Sequence, residues 1–141
     1  MSRERPVPLD AARIFAVVPA AGLSRRMGQP KLLLPLGDTT VIGRVLRSLE
    51  HPLIAARFVI ARRDQDDLKA SVESVGAYAV SSEVDPPDMR RSVELGLEEI
   101  QRRYAPDDED AWMLCPADQG ALDPRTVAQL VDHWSIRRPK I

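Results

Sequence analysis

The sequence predicts a three-layer α/β fold built on a mainly parallel sheet. Short, continuous apolar runs recur along the chain, as expected of strands covered on both faces. Each is followed by a segment whose apolar residues repeat at helical spacing. Such alternation calls for right-handed βαβ crossovers, and 141 residues are the length of one domain.

Residues 1–10 are charged, carry Pro6 and Pro8, and read as a flexible leader to a domain spanning 11–141. Ile14-Phe-Ala-Val-Val-Pro19 is the first buried strand. A loop over 20–40 follows, containing Gly22, Gly28 and Pro30. Thr40 then stands as an N-cap before Val41, Ile42, Val45, Leu46 and Leu49. Residues 57–61 form the second strand and 64–75 the second helix, with Leu68, Val72 and Val75 on one face. The third strand covers 77–81. After a loop over 82–88 with Pro86 and Pro87, Val93, Leu97 and Ile100 mark one side of a helix opening at Met89 and ending near Tyr104. Ala111-Trp-Met-Leu-Cys115 is the fourth strand, with Trp112 a core candidate. Pro124 opens a last helix whose apolar face is Val127, Leu130, Val131 and Trp134. There is no internal repeat and no low-complexity segment.

Composition excludes several classes of function. Twenty basic residues balance 21 acidic ones for a net charge of −1, so no basic surface for polyanions is implied. Aromatic residues, at 4%, are too few for a platform that stacks single-stranded bases. One cysteine, Cys115, allows no intramolecular disulfide and no Cys-rich metal site, which fits a reducing cytoplasm. It reads as an inert core thiol. His51, beside Pro52 in a turn, and His133, on the last helix, are too far apart in sequence to imply a histidine site. No stretch approaches the roughly 18 apolar residues of a membrane span.

In parallel α/β sheets ligands bind where strands end, so the loops after strands are the ones to search. The loop after the first strand, Ala20-Ala-Gly-Leu-Ser-Arg-Arg-Met-Gly-Gln-Pro-Lys31, combines small residues, two glycines and three cations. Glycines let backbone amides approach phosphate oxygens, while arginine forks and a lysine neutralise them. Among the basic residues only Lys31, Lys69 and Lys140 are lysine, which singles out Lys31. The loop is not a Walker loop, because five residues separate Gly22 from Gly28 and Gln29 follows; nor does it carry the Gly-x-Gly-x-x-Gly dinucleotide pattern. The competing reading is a surface turn with solvated arginines.

The ordered run from Val18 to Leu34 resembles the signature of MobA-like nucleotidyltransferases, and molybdenum-cofactor cytidylyltransferases in particular. The resemblance implies a Rossmann-like sheet of the nucleotide-diphospho-sugar transferase type, C-terminally shortened here. It further implies that Ala20, Ala21 and Gly22 line base and ribose, while Arg25, Arg26 and Lys31 hold the triphosphate. Asp118, in Pro116-Ala-Asp-Gln-Gly120, becomes the Mg²⁺ ligand by the same resemblance. The chain departs from the family at Ala117 and Gly120, where the family has Gly and Pro. Without the resemblance, an isolated Asp in a turn reads as a local Asx hydrogen bond. Ser92, in Met89-Arg-Arg-Ser-Val93 at a helix start, is a nucleotide contact by similarity; otherwise this is an exposed helix start with solvated arginines. The acidic run Asp107-Asp-Glu-Asp110 precedes the fourth strand and reads as a solvated loop at the opposite sheet edge.

What the resemblance implies is a Mg²⁺-dependent cytoplasmic enzyme, with Arg25, Lys31 and Asp118 as its catalytic groups. It would transfer CMP or another NMP from an NTP, CTP first, to a phosphate-bearing acceptor such as molybdenum cofactor, releasing pyrophosphate. A molybdoenzyme maturation partner is in keeping with that acceptor; nucleic acid and membrane are not expected. The alternatives are a GTP- or sugar-phosphate-specific relative and a noncatalytic nucleotide-binding remnant.

Overall fold

Ile14–Pro19 forms β1, the strand on which the sheet is centred; all six of its residues are buried. The computed structural model describes residues 12–22, 31–118 and 122–136, so the 1–10 leader lies outside them. A single 3-10 turn at Lys31–Leu33 and a short hairpin, β2 (Pro35–Leu36) and β3 (Thr39–Thr40), follow. Then come α1 (Val41–Ser48), β4 (Ile54–Ile60), α2 (Asp66–Ser74), β5 (Tyr78–Val80), α3 (Met89–Tyr104), β6 (Ala111–Leu114) and α4 (Pro124–Ile136). The main sheet has the order β5-β4-β1-β6 and every neighbouring pair is parallel. The expected α/β architecture is therefore present.

Alternation along β1 sends Ile14, Ala16 and Val18 to one face and Phe15 and Val17 to the other, which is why two separate apolar layers form. The first layer joins Ile42, Val45 and Leu46 of α1, Leu68 and Val72 of α2, and Val127 and Val131 of α4. In the second, Phe58 and Ile60 of β4 meet Leu95 and Ile100 of α3, with Tyr78 and Tyr104 at its rim. Gly96 lets α3 approach the sheet: a Cβ there would lie 2.8 Å from a methyl of Val17.

Caps and ion pairs close the element ends. The Thr40 hydroxyl accepts from the Gly43 amide at 3.1 Å, as expected of an N-cap. Arg57 projects from β4 to donate to the carbonyls of Leu46 at 2.6 Å and Val75 at 2.8 Å. One cation thus serves the carboxyl ends of both α1 and α2, where helix dipoles favour positive charge.

Four expectations need correction. The 20–40 segment is not loop throughout, since Gly37 at φ 64° begins a tight two-residue turn that pairs Leu36 with Thr39. The second strand starts at Ile54, not at 57, because Ile54 and Ala56 pair with Ile14 and Phe15 of β1 across a register shift that passes over Ala55, despite the weak strand preference of alanine. Trp112 is 47% exposed: α3 packs on β1, β4 and β5, leaving that side of β6 open. Asp110 is no solvated loop residue; its side chain, only 4% exposed, pairs with Arg13 at 2.9 Å.

Candidate functional site

β1 and β6 run side by side in register, from Ile14 beside Ala111 to Val17 beside Leu114, and the Cys115 amide extends the ladder by donating to Val17. On the other side, the Ala20 amide donates to Ile60 of β4 at 2.8 Å. The chain thus builds outward from β1 to β4 and β5, then returns through α3 to β6. This reversal of strand order opens a crevice beyond the carboxyl ends of β1 and β6, the usual ligand position in such sheets.

Two short segments border that crevice. Ala20 and Ala21 leave β1 buried, while Gly22 is exposed. A Cβ at Gly22 would meet no described atom within 4 Å, and the position has no positive φ, so neither packing nor backbone conformation demands glycine there. Pro116, Ala117 and Asp118 leave β6. Ala117 is fully buried in the first apolar layer, and the next residue turns the Asp118 carboxyl out to solvent. The residues that would close an Asx turn at Asp118, 119 and 120, lie outside the described residues. The charge of Asp118 is felt nearby: burial first, and then the Asp118 carboxylate, push the Cys115 thiol up to about 11. Cys115 is buried and protonated at neutral pH, the inert residue expected.

Lys31 opens the 3-10 turn and is exposed, held by the neighbouring Leu32, which is 2% exposed in the first layer. The Val41 amide donates to Leu34, seating the turn on the start of α1. Arg25 and Arg26 lie outside the described residues.

Ser92 is 4% exposed in the first turn of α3. At this helix start the Asp88 side chain accepts from the Arg91 amide at 2.9 Å, so that amide is already satisfied. Arg91 in turn pairs with Glu98 at 2.9 Å and Glu94 at 3.3 Å, and Arg90 with Glu94 at 3.5 Å. The loop after β5 and this helix start enclose a cleft of about 370 Å³ bordered by Ser82, Asp85, Asp88, Arg90, Arg91 and Glu94. Sequence reasoning missed Asp85, whose carboxylate accepts from the Arg63 amide and ties the loop after β5 to the loop after β4. The only signal was its place before Pro86-Pro87.

A magnesium ion was expected at Asp118. Among the described residues no group of three or more His, Cys, Asp or Glu side chains could hold a metal. A single exposed carboxylate fits Mg²⁺ only in the manner of nucleotide enzymes, with substrate phosphates and water supplying the remaining oxygens. No helix of the described residues is long and apolar enough to cross a membrane.

Comparison with known proteins agrees with this geometry. Residues 16–140 match the model of the MobA-like NTP transferase domain. A stretch of 71 residues is 39% identical to 2-C-methyl-D-erythritol 4-phosphate cytidylyltransferase of Shewanella denitrificans, covering 48% of this chain and 29% of that enzyme. The chain therefore aligns with less than a third of that relative. Among solved structures, Rv0371c of Mycobacterium tuberculosis is 27% identical with a TM-score of 0.69, over 86% of this chain and 60% of that one. Its manganese complex gives 25% identity and a TM-score of 0.64, over 89% and 61%. With nearly its whole length matched, the chain belongs to the MobA-like NTP transferase domain family.

Proposed function

We propose that the chain is the nucleotide-binding part of a nucleotidyltransferase that uses CTP, or another NTP, and a small phosphate-bearing acceptor. The observation that carries this reading is the register of β1 with β6, which sets the Ala20-Ala21-Gly22 segment and Asp118 on adjacent strand ends at one crevice.

In the proposed reaction an oxygen of the acceptor phosphate attacks the α-phosphorus of the NTP. The bond from that phosphorus to the bridging oxygen breaks, and pyrophosphate leaves with the electron pair. Ala20, Ala21 and Gly22 form the floor against base and ribose, and Gly22 leaves room for close approach. Lys31, with Arg25 and Arg26 of the same segment, neutralises the triphosphate and the charge of the departing pyrophosphate. Asp118 supplies a carboxylate oxygen for Mg²⁺, whose contribution when bound is charge neutralisation at the phosphates. Ser92 meets the nucleotide through its hydroxyl. Because the Asp88 carboxylate caps the same helix end and would repel phosphate, that contact goes to the uncharged base or ribose.

The cytidylyltransferase named among the relatives favours CTP. Molybdenum cofactor, the acceptor implied by the sequence signature, and the erythritol phosphate in that relative's name share the chemistry of a small phosphomonoester. A GTP-specific or sugar-phosphate-specific variant uses the same floor and cations. One observation favours noncatalytic nucleotide binding instead: among the described residues Asp118 belongs to no group of three or more side chains that could hold a metal.

Titration with each of the four NTPs and Mg²⁺, followed by a pyrophosphate-release assay with phosphomonoester acceptors, tests the proposal. CTP should raise the melting temperature, since a ligand of the native state alone stabilises it by RT ln(1 + [L]/Kd). Release of pyrophosphate supports transfer, and stabilisation without release supports the binding-only reading. No shift with any NTP at millimolar concentration removes both.

A further inference from the structure

The start of α3, which carries Ser92, is joined to the floor of the crevice by a short chain of contacts. The Ala20 amide donates to the Ile60 carbonyl at the end of β4, at 2.8 Å. Three residues further on, the Arg63 amide donates to the Asp85 carboxylate at 2.9 Å, across 22 residues of sequence. Pro86 and Pro87 then fix φ at two consecutive positions and lead into Asp88. The Asp88 side chain accepts from the Arg91 amide at 2.9 Å, and its carbonyl accepts from the Ser92 amide at 3.2 Å.

The Arg63 end of this chain is firmly anchored. The Ala61 amide continues the ladder between β4 and β5 by donating to the Val80 carbonyl at 2.8 Å. The Gln65 side chain accepts from the Arg62 amide at 2.6 Å, while the Lys69 ammonium of α2 donates to the Arg63 carbonyl at 2.9 Å. The loop after β5 is different. Glu83, Val84, Pro87 and Asp88 are exposed, so the loop has little packing of its own to hold its path. The Ser82 hydroxyl bonds within it, to the Val84 carbonyl, whereas the half-buried Asp85 reaches out of it to Arg63.

We propose that Asp85 is a positioning residue: by holding the Arg63 amide it fixes the start of α3 to the end of β4, and so sets Ser92 against the Ala20-Ala21-Gly22 floor. This role rests on the reading of Ser92 and that floor as contacts of base and ribose. The triphosphate is assigned to Lys31 and the cations of its segment. Asp85 therefore acts on recognition of the nucleoside and not of the phosphates.

The test compares wild type, Asp85→Ala and Asp85→Asn in two measurements. The first is affinity for CTP and for inorganic tripolyphosphate, both with Mg²⁺. The second, which needs no ligand, is amide hydrogen exchange of peptides spanning residues 82–92 and, as control, the β1 and β4 strands. In Asp85→Ala, CTP affinity should fall about tenfold, the factor at stake when a hydrogen bond to a charged group no longer selects the competent position. Tripolyphosphate affinity should stay at the wild-type value, and amides of 88–92 should exchange faster while strand amides do not. Asp85→Asn keeps an oxygen that can accept from Arg63 and should recover most of both. In a Ser92→Ala background, Asp85→Ala should cause little further loss, because the two act through one contact. Wild-type CTP affinity in Asp85→Ala overturns the proposal and leaves the nucleotide reading intact. Equal losses for CTP and tripolyphosphate, unchanged loop exchange, an Asp85→Asn variant as weak as Asp85→Ala, or losses that add in the double variant each overturn it as well. If wild type binds no NTP, the nucleotide reading falls and this role with it.

Discussion

Cys115 donates its backbone amide to the Val17 carbonyl at 2.9 Å, one step beyond the last paired residues of β1 and β6. Past this rung the two chains part, and Gly22 and Asp118 emerge on neighbouring paths over buried alanines. The crevice is consequently set by β1 and its neighbour β6, at the edge of the described four-stranded sheet, with the loops carrying only the chemistry. Substitutions should therefore separate cleanly into those that the fold feels and those that a ligand feels.

Gly96→Ala belongs to the first kind. The added methyl would lie 2.8 Å from Val17 Cγ1, and Val17 is fully buried in the centre of the sheet with no room to yield. Overpacking of this sort costs about 1 to 3 kcal/mol, expected as a melting temperature lower by several degrees. A variant as stable as wild type would show that α3 slides on the sheet at no cost.

Gly22→Ala belongs to the second kind. No described atom lies within 4 Å of the new Cβ and the backbone needs no positive φ, so thermal stability should be unchanged. The methyl instead occupies space into which a nucleotide would come, and NTP affinity should drop several-fold. Retention of wild-type NTP affinity would take Gly22 out of the site.

The strand-and-helix alternation was legible because β1 and β4 are nearly all apolar and because Val41, Ile42, Val45 and Leu46 keep strict helical spacing. The positions of Gly22 and Asp118 just beyond neighbouring strand ends followed from it, since loops after parallel strands share one edge. What escaped was long-range. Nothing in Asp110 itself says that its partner is Arg13, 97 residues earlier, and Ser48 looks like an ordinary helix residue until Leu122 arrives beside it. Trp112 misled because alternation tells which residues share a face but not whether a helix covers that face.

The Asp110 pair gives the fold an acid sensitivity. Burial alone would raise this carboxyl, but hydrogen bonds from the Arg13 side chain and amide and from the Asp107 amide outweigh it and hold it below the usual range. A depressed carboxylate contributes its stability above the unfolded value, about pH 4, and loses it as pH falls through the lower folded value. Asp110→Asn should therefore be less stable at neutral pH by about 1 to 3 kcal/mol, with a shallower decline below pH 4. Urea midpoints measured from pH 2 to 7 check this. Parallel curves for the two proteins would assign the acid loss to other carboxylates.

Asp118→Asn preserves side-chain size while removing the charge, and two independent readouts follow from its position. The first concerns Cys115, whose thiol is pushed up by burial and, after that, by the Asp118 carboxylate. Removal of the charge should bring the thiol titration down from about 11 without restoring the ordinary value, because the burial remains. Thiolate absorbance against pH reads this with no ligand present, and an unmoved titration would mean that the carboxylate does not face Cys115. The second readout concerns the proposed metal. As an exposed residue without a described partner, Asp118 contributes little to folding, so the melting temperature should hardly change. As an oxygen ligand it should matter only when Mg²⁺ is present, since an amide oxygen offers the ion no charge. CTP affinity in EDTA should thus match wild type, while the enhancement by Mg²⁺ shrinks. Equal enhancement in both proteins would assign the ion to the triphosphate alone and leave Asp118 as a carboxylate that merely lines the crevice.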